Sequence, residues 1–255
     1  MVITSRKNDA VKRFRELLRE KSARDAQGVF AVEGDHLCGE LAKSGYGIIS
    51  VLTTERAEEK YPQTTALLRQ KCSDVTVISG DVAEYISDTK APQGLFAIAE
   101  KPVSPGIGGV RRLVLLDGVQ DPGNVGTIIR TAEALGFGGA VLSPDCADIW
   151  APKTLRASMG SVLRLPCVIG SMQERVSALR ADGFSVYGAM LDESAARLGE
   201  IEFPERAAVV IGSEGRGVSP DVAAECTRAV YIPISGAESL NAAAAAAIIL
   251  WELSK

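Results

Sequence analysis

The stretch Arg112-Leu-Val-Leu-Leu-Asp-Gly-Val-Gln-Asp-Pro-Gly-Asn-Val-Gly-Thr-Ile-Ile-Arg130 decides the fold class. It opens on a continuous apolar run at 113–116, the pattern of a strand buried on both faces of a sheet. A turn follows, rich in residues that bend a backbone: Gly118, Asp121, Pro122 and Gly123. Apolar residues then recur at helical spacing from Val125 onward. A buried strand that feeds a helix through a tight turn is half of a parallel α/β unit. Such sheets bind ligands beyond the carboxyl ends of their strands.

The alternation continues downstream. Strands are expected at 140–142, 163–168, 185–189, 208–212 and 229–233, with helices at 125–135, 152–158, 172–181, from Pro220, and at 240–253. Upstream, Lys101-Pro-Val-Ser-Pro-Gly-Ile-Gly-Gly109 has linker chemistry and sets a domain boundary. Before it, strands at 29–32, 48–53, 75–79 and 95–99 alternate with helices at 8–22, 37–44, 63–72 and 82–88. The 255 residues thus divide into a smaller α/β domain over 1–103 and a parallel-sheet domain over 110–255.

Composition excludes several chemistries. The single histidine, His36, rules out His-Glu-x-x-His metalloproteases, Cys2His2 fingers and multi-histidine metal centres. His36 lies far from any nucleophile elbow and reads as a helix-start or surface residue. Cys38, Cys72, Cys146, Cys167 and Cys226 are scattered without a Cys-x-x-Cys pair, so they are expected as free thiols in a reducing cytosol, with no metal. The N-terminus lacks the apolar core of a signal peptide, and no apolar run reaches the length of a membrane span. A soluble, cytoplasmic protein without membrane partners is expected.

Three loops follow three strands of the second domain. In the first, Gly118 and Gly123 have P-loop spacing, but Asn124-Val125 stands where Lys-Ser/Thr is required, and no Gly-x-Gly-x-x-Gly is present. ATP hydrolysis and dinucleotide-dependent oxidation are both disfavoured. What remains is Asn124 at a helix start, either a simple cap or a site residue, and Arg130 about two turns further in. The second loop, Gly212-Ser-Glu-Gly-Arg-Gly217, can bend sharply and approach a ligand, and Glu214 within it is available to pair with an arginine. The third runs through Ile232-Pro-Ile234 to Ser239-Leu-Asn241, with Ser239 as the candidate cap of the last helix.

In this order, Asn124-Val-Gly-Thr-Ile-Ile-Arg-Thr-Ala132, Gly212-Ser-Glu-Gly-Arg-Gly217 and Ile232-Pro-Ile234 with Ser239-Leu-Asn241 resemble the signature motifs of the SpoU (TrmH-like) RNA ribose 2′-O-methyltransferases of the SPOUT superfamily. Arg156-Ala-Ser-Met-Gly-Ser161 is similar to a fourth piece of that family. Thr4-Ser-Arg-Lys-Asn8, Lys12 and Gly28-Val-Phe-Ala-Val-Glu-Gly34 resemble its substrate-binding module.

The resemblance implies a deep trefoil knot in the second domain, an L30e-like first domain, a homodimer, and S-adenosylmethionine as cofactor. It places the cofactor around Gly212, Glu214, Gly217, Ile232, Ile234, Ser239 and Leu240. It assigns catalysis to Asn124, Arg130, Glu214, Ser239 and Asn241, with Arg130 tied to activation of the hydroxyl. Structured RNA, ribosomal more than transfer RNA, is the implied substrate; a non-catalytic RNA binder of the same fold is the alternative.

Net charge is −4, so attraction for RNA has to be local. Residues 1–24 carry eight basic side chains against Asp9, Glu16 and Glu20. Arg6, Lys7, Lys12, Arg13 and Arg24 are the expected phosphate contacts, the rival reading being a merely solvated helix face.

Overall fold

Apolar runs with both faces buried become the centre of a seven-stranded sheet. The computed structural model describes residues 2–103, 106–192, 194–236 and 239–255. Ser104 and Pro105 of the linker and Ala237 and Glu238 of the third loop lie outside the described residues. The chain divides into two compact units, Met1–Val103 with Trp150–Leu163, and Ser104–Ile149 with Arg164–Lys255.

The first unit runs β1 (Val2–Ile3), α1 (Asp9–Arg19), α2 (Lys21–Gln27), β2 (Val29–Glu33), α3 (Asp35–Lys43), β3 (Ile48–Thr53), α4 (Glu55–Lys60), α5 (Pro62–Lys71), β4 (Val75–Ile78), α6 (Gly80–Ile86) and β5 (Leu95–Glu100). Its sheet has the order β1-β4-β3-β5-β2, with β5 antiparallel to both neighbours. Val11, Phe14, Leu17 and Leu18 of α1 are buried against Val29, Ala31, Leu52 and Ile98, as the helical spacing requires. The single helix expected over 8–22 is two, because Glu20 takes an extended backbone (φ −106°, ψ 115°) between α1 and α2. β1 and α4 have no counterpart in the sequence reading.

The rest of the chain forms β6 (Arg112–Asp117), α7 (Pro122–Ala134), β7 (Gly139–Leu142), α8 (Pro152–Ala157), β8 (Cys167–Ile169), α9 (Met172–Ala181), β9 (Ser185–Ala189), β10 (Ala196–Arg197), β11 (Ala207–Gly212), α10 (Pro220–Glu225), β12 (Arg228–Tyr231) and α11 (Ala242–Ser254). Of these, α8 belongs to the first unit. The strands pair in parallel in the order β10-β12-β9-β11-β6-β7-β8. Leu113, Leu115, Val186, Ala208 and Val210 face Met172 and Val176 of α9 and Val222 of α10. Helices α7 and α11 cover the sheet as well and pack on each other. Two covered faces explain why the strands are apolar at consecutive positions rather than alternate ones.

The strand expected over 163–168 begins only at Cys167; Leu163 instead ends a short 3-10 turn that starts at Ser161. β12 stops at Tyr231, which leaves Ile232 and Pro233 outside the sheet. All five cysteines are free; burial pushes the Cys167 thiol up to about 12 and the Cys226 thiol up to about 11.

Candidate active site

β6 and β11 lie side by side, with Asp117 opposite Gly212 in the ladder. Their carboxyl ends therefore release the first and second loops next to each other. Asp117 is buried and its Oδ2 accepts from the Ser219 amide at 2.7 Å, tying the end of β6 to the chain entering α10.

In the first loop the cap is Asp121, not Asn124. The Asp121 carboxylate accepts from the Asn124 amide at 2.9 Å, and Pro122 occupies the first helical position. The physical reason is the Asp-Pro pair: a carboxylate takes an orphan amide, and proline brings a helical φ with no N–H to satisfy. This leaves the Asn124 side chain, in the first turn of α7, free to act elsewhere.

The second loop closes on itself. Ser213 N–H donates to the Gly217 carbonyl at 3.1 Å, Gly217 N–H returns to the Ser213 carbonyl at 2.9 Å, and Arg216 N–H meets Ser213 Oγ at 3.2 Å. A β-carbon on Gly212 would sit 2.0 Å from the Gly217 carbonyl carbon, so no other residue fits there without opening the turn. Gly217 adopts φ +67°, the left-handed region that glycine tolerates best.

In the third loop, Asn241 rather than Ser239 caps α11. Its Oδ1 accepts from Ala243 and Ala244 amides at 3.0 and 3.2 Å. Ser239 is exposed and lies two residues too early for its hydroxyl to reach those amides. Ile234 and Leu240 stay 40% and 37% exposed, an apolar lip around this loop.

Three of the expected catalytic side chains meet. Asn124 Nδ2 donates to Glu214 Oε1 at 2.5 Å, and Asn241 Nδ2 donates to Asn124 Oδ1 at 3.0 Å. An ionised carboxylate only accepts, so Asn124 turns its NH2 toward Glu214 and its carbonyl toward Asn241. Asn241 then has to present its own NH2, which leaves its oxygen for the helix amides. The chain of bonds has one self-consistent direction. Glu214 thus takes the Asn124 amide as a partner.

Arg130 does not enter this cluster. It is exposed on α7 and makes no hydrogen bond or ion pair among the described residues. Six residues past Asn124, it lies about 9 Å along the helix and about a third of a turn around it.

The basic residues of the first unit separate by environment. Lys7 is exposed; Lys12 is exposed and pairs with Asp9 at 3.3 Å. Arg6 lies over the Tyr85 ring at 5.2 Å, and Arg13 Nε donates to Gln27 at 2.9 Å. Arg24 does not belong to the expected contact face. It is 3% exposed and donates to the Leu17 carbonyl at 2.7 Å, because the break at Glu20 folds α2 back on the end of α1. Among the described residues no cluster of metal-ligating groups occurs, and no helix is long and apolar enough to cross a membrane.

With this geometry in place, comparison with known proteins is decisive. The profile of the SpoU rRNA Methylase family matches residues 111–251. The chain belongs to the SpoU rRNA methylase family. The MRM3-like substrate binding domain matches residues 8–97. A relative, the 23S rRNA (guanosine(2553)-2′-O)-methyltransferase RlmP of Bacillus subtilis, is 35% identical over 98% of each chain. The 23S rRNA (uridine(2479)-2′-O)-methyltransferase of Streptomyces viridochromogenes is 30% identical over 98% of this chain and 90% of its own. The crystal structure of an AdoMet-bound rRNA methyltransferase from Sinorhizobium meliloti superposes with a TM-score of 0.87 at 30% identity, covering 99% of this chain and 97% of that one.

Proposed function

We propose that this SpoU family chain transfers a methyl group from S-adenosylmethionine to a ribose 2′-hydroxyl of ribosomal RNA. The observation that carries the reading is the Asn241–Asn124–Glu214 chain, which joins all three strand-end loops in one site. Family membership and end-to-end similarity to ribosomal 2′-O-methyltransferases support the substrate class.

The residues present suit the cofactor. An adenosine needs an apolar surface for its ring and backbone groups for its edge; Ile234 and Leu240 offer the first, and the chain at Ile232, outside the sheet, offers the second. The closed turn from Gly212 to Gly217 adds backbone packed too closely at Gly212 to admit a side chain there. When bound, S-adenosylmethionine supplies an activated methyl group, so alignment and activation of the hydroxyl fall to the protein. Alignment alone can lower such a barrier by ~7–11 kcal/mol.

Glu214, held by Asn124, keeps its second carboxylate oxygen as an acceptor for the ribose hydroxyl or an incoming guanidinium. Arg130, without a hydrogen-bond or ion-pair partner among the described residues, is the group for developing alkoxide charge and the neighbouring phosphate. A guanidinium donates hydrogen bonds and does not abstract protons. Ser239, spared from capping, orients cofactor or ribose.

In the same reading, residues 1–103 grip RNA, residues 110–255 form the knotted cofactor domain, and the enzyme works as a cytoplasmic homodimer. Ile248 and Trp251 of α11, 41% and 56% exposed, supply apolar surface for a second copy. Mapping of ribose methylation in ribosomal RNA from a strain lacking the gene tests the function. One unmodified 2′-hydroxyl should appear and be restored by purified protein with S-adenosylmethionine. Identical maps in both strains would end the reading.

A further inference from the structure

Residues 150–163 fold with the first unit, and they build a pocket there. Trp150 anchors the segment: its ring stacks on Phe30 with centroids 4.4 Å apart and meets Tyr46 edge-on at 6.0 Å. After α8 the chain reaches Met159, which among the described residues is the one non-glycine with left-handed backbone, φ 50°. Its carbonyl lies 3.2 Å from Nε2 of His36, near the start of α3. Arg156 and Met159 together close a cavity of about 330 Å³ at the junction of β2 and α3.

The opposite wall is the turn between α6 and β5, fastened by a buried carboxylate. Glu33 accepts from Ser87 Oγ at 2.5 Å, Thr89 Oγ1 at 2.6 Å and the Asp88 amide at 3.0 Å. Gln93 Oε1 accepts from the Asp35 amide at 2.7 Å, which leaves its NH2 as a donor. The acceptors lining the pocket are thus largely committed, and the groups left over are donors. Arg156 is the plainest case: its Nη2 pairs with Asp88 at 2.8 Å, Nη1 is enclosed with no partner among the described residues, and the rest of the side chain, 36% exposed, lines the pocket. Leaving such a donor unsatisfied is costly, and strain like that at Met159 persists where the surroundings enforce it.

A ligand for this cavity has a flat apolar face for Leu37, Ala91 and Met159, acceptors on its edge for Gln93, and negative charge for Arg156. An unstacked nucleotide combines all three, and single-stranded RNA offers such nucleotides where a duplex does not. We propose that this pocket takes one unstacked nucleotide of the RNA substrate, base against Met159 and phosphate toward Arg156. The proposal rests on RNA being the substrate. It gives a role to Arg156-Ala-Ser-Met-Gly-Ser161 and to the lone histidine, and it moves the specific grip away from α1.

The test measures binding of a fluorescein-labelled single-stranded RNA octamer, a blunt RNA duplex and free AMP to the full-length wild type, Arg156→Gln and Ala91→Trp. Ala91 is exposed, lines the pocket and makes none of the Glu33 bonds or the Arg156–Asp88 pair, so tryptophan there fills space in the cavity and removes no bond of its wall. Both variants should bind the octamer about tenfold more weakly, the order of one lost base contact, with duplex affinity unchanged. Arg156→Gln should also lower the slope of log affinity against log salt by about 1, as one lost phosphate contact does, and Ala91→Trp should not. If Arg156→Gln fails to fold, Ala91→Trp alone decides. Wild-type octamer affinity in a folded Ala91→Trp protein overturns the pocket, and AMP competing on equal terms with the octamer overturns RNA as its occupant in favour of a free nucleotide. The two readings fail separately: ribosomal RNA methylated normally by both variants removes the pocket and leaves the methyltransferase. A wild type that methylates no ribosomal RNA removes the methyltransferase, and the octamer comparison still decides the pocket.

Discussion

Asn124 and Asn241 stand 117 residues apart in the chain and share a hydrogen bond of 3.0 Å. Through it, the amide that caps α11 also sets the amide that holds Glu214. Because α7 and α11 pack on each other, the bond connects the starts of two packed helices. A change at either asparagine reaches the carboxylate.

Asn124→Asp tests that coupling. Aspartate can still accept from Asn241, but it loses the bond to Glu214 and sets a like charge beside it. A hydrogen bond to a charged group contributes ~1.5–3 kcal/mol, so single-turnover methylation should slow by roughly 10- to 100-fold. Thermal stability should fall by no more than the same amount, since Asp121 remains the cap of α7.

Arg130→Ala should remove most turnover and leave cofactor affinity by calorimetry nearly intact, because Arg130 makes no hydrogen bond or ion pair with the described residues of the three loops. Loss of a strong electrostatic donor costs ~10²–10³ in rate. Arg130→Lys should not restore it, as one ammonium cannot reproduce a planar fork of donors. An alanine enzyme within a few-fold of wild type would contradict the role.

The two candidate caps of α11 separate by denaturant melting. Asn241→Ala removes the side chain that takes two helix amides and should cost ~1 kcal/mol of stability. Ser239→Ala should stay within about 0.5 kcal/mol, as surface substitutions do, and show its effect in rate or cofactor affinity.

Gly212→Ala should open the second loop. Its β-carbon would fall 2.0 Å from backbone, which cannot be relieved by rotating a side chain. Overpacking of this kind costs ~1–3 kcal/mol, and cofactor binding by calorimetry should fall with it.

Lys7→Glu with Lys12→Glu tests the basic face of the first unit. RNA affinity should drop, and the salt slope should fall by about 2 if both lysines contact phosphate. Charge reversal is the better experiment than truncation, because deleting the first unit would strip Phe30 and Tyr46 from Trp150. An unchanged slope would return these lysines to a solvated helix face.

Much of the architecture was legible in the chain itself. The run at 113–116, the turn at 117–123 and the helical spacing after Val125 announce a parallel unit, because a strand covered on both faces has to be apolar at consecutive positions. The three loops were legible for a related reason: glycine, proline, asparagine and serine gather where a backbone must turn and where helices begin. Local chemistry of this kind depends on neighbours a few residues away, and sequence records it.

Tertiary structure decided the rest. The caps were decided by geometry: Asp121 takes the one for which Asn124 was an open candidate, and Asn241 the one expected of Ser239, because a cap is chosen by which oxygen reaches an amide and several candidates stand within a few residues. Arg24 sits in a basic run yet is buried under the end of α1, since only the break at Glu20 determines which side of α2 faces inward. The return of residues 150–163 to the first unit could not be read at all. It depends on Trp150 meeting Phe30 and Tyr46, more than a hundred residues away, and no local pattern encodes a contact between rings so far apart in the chain.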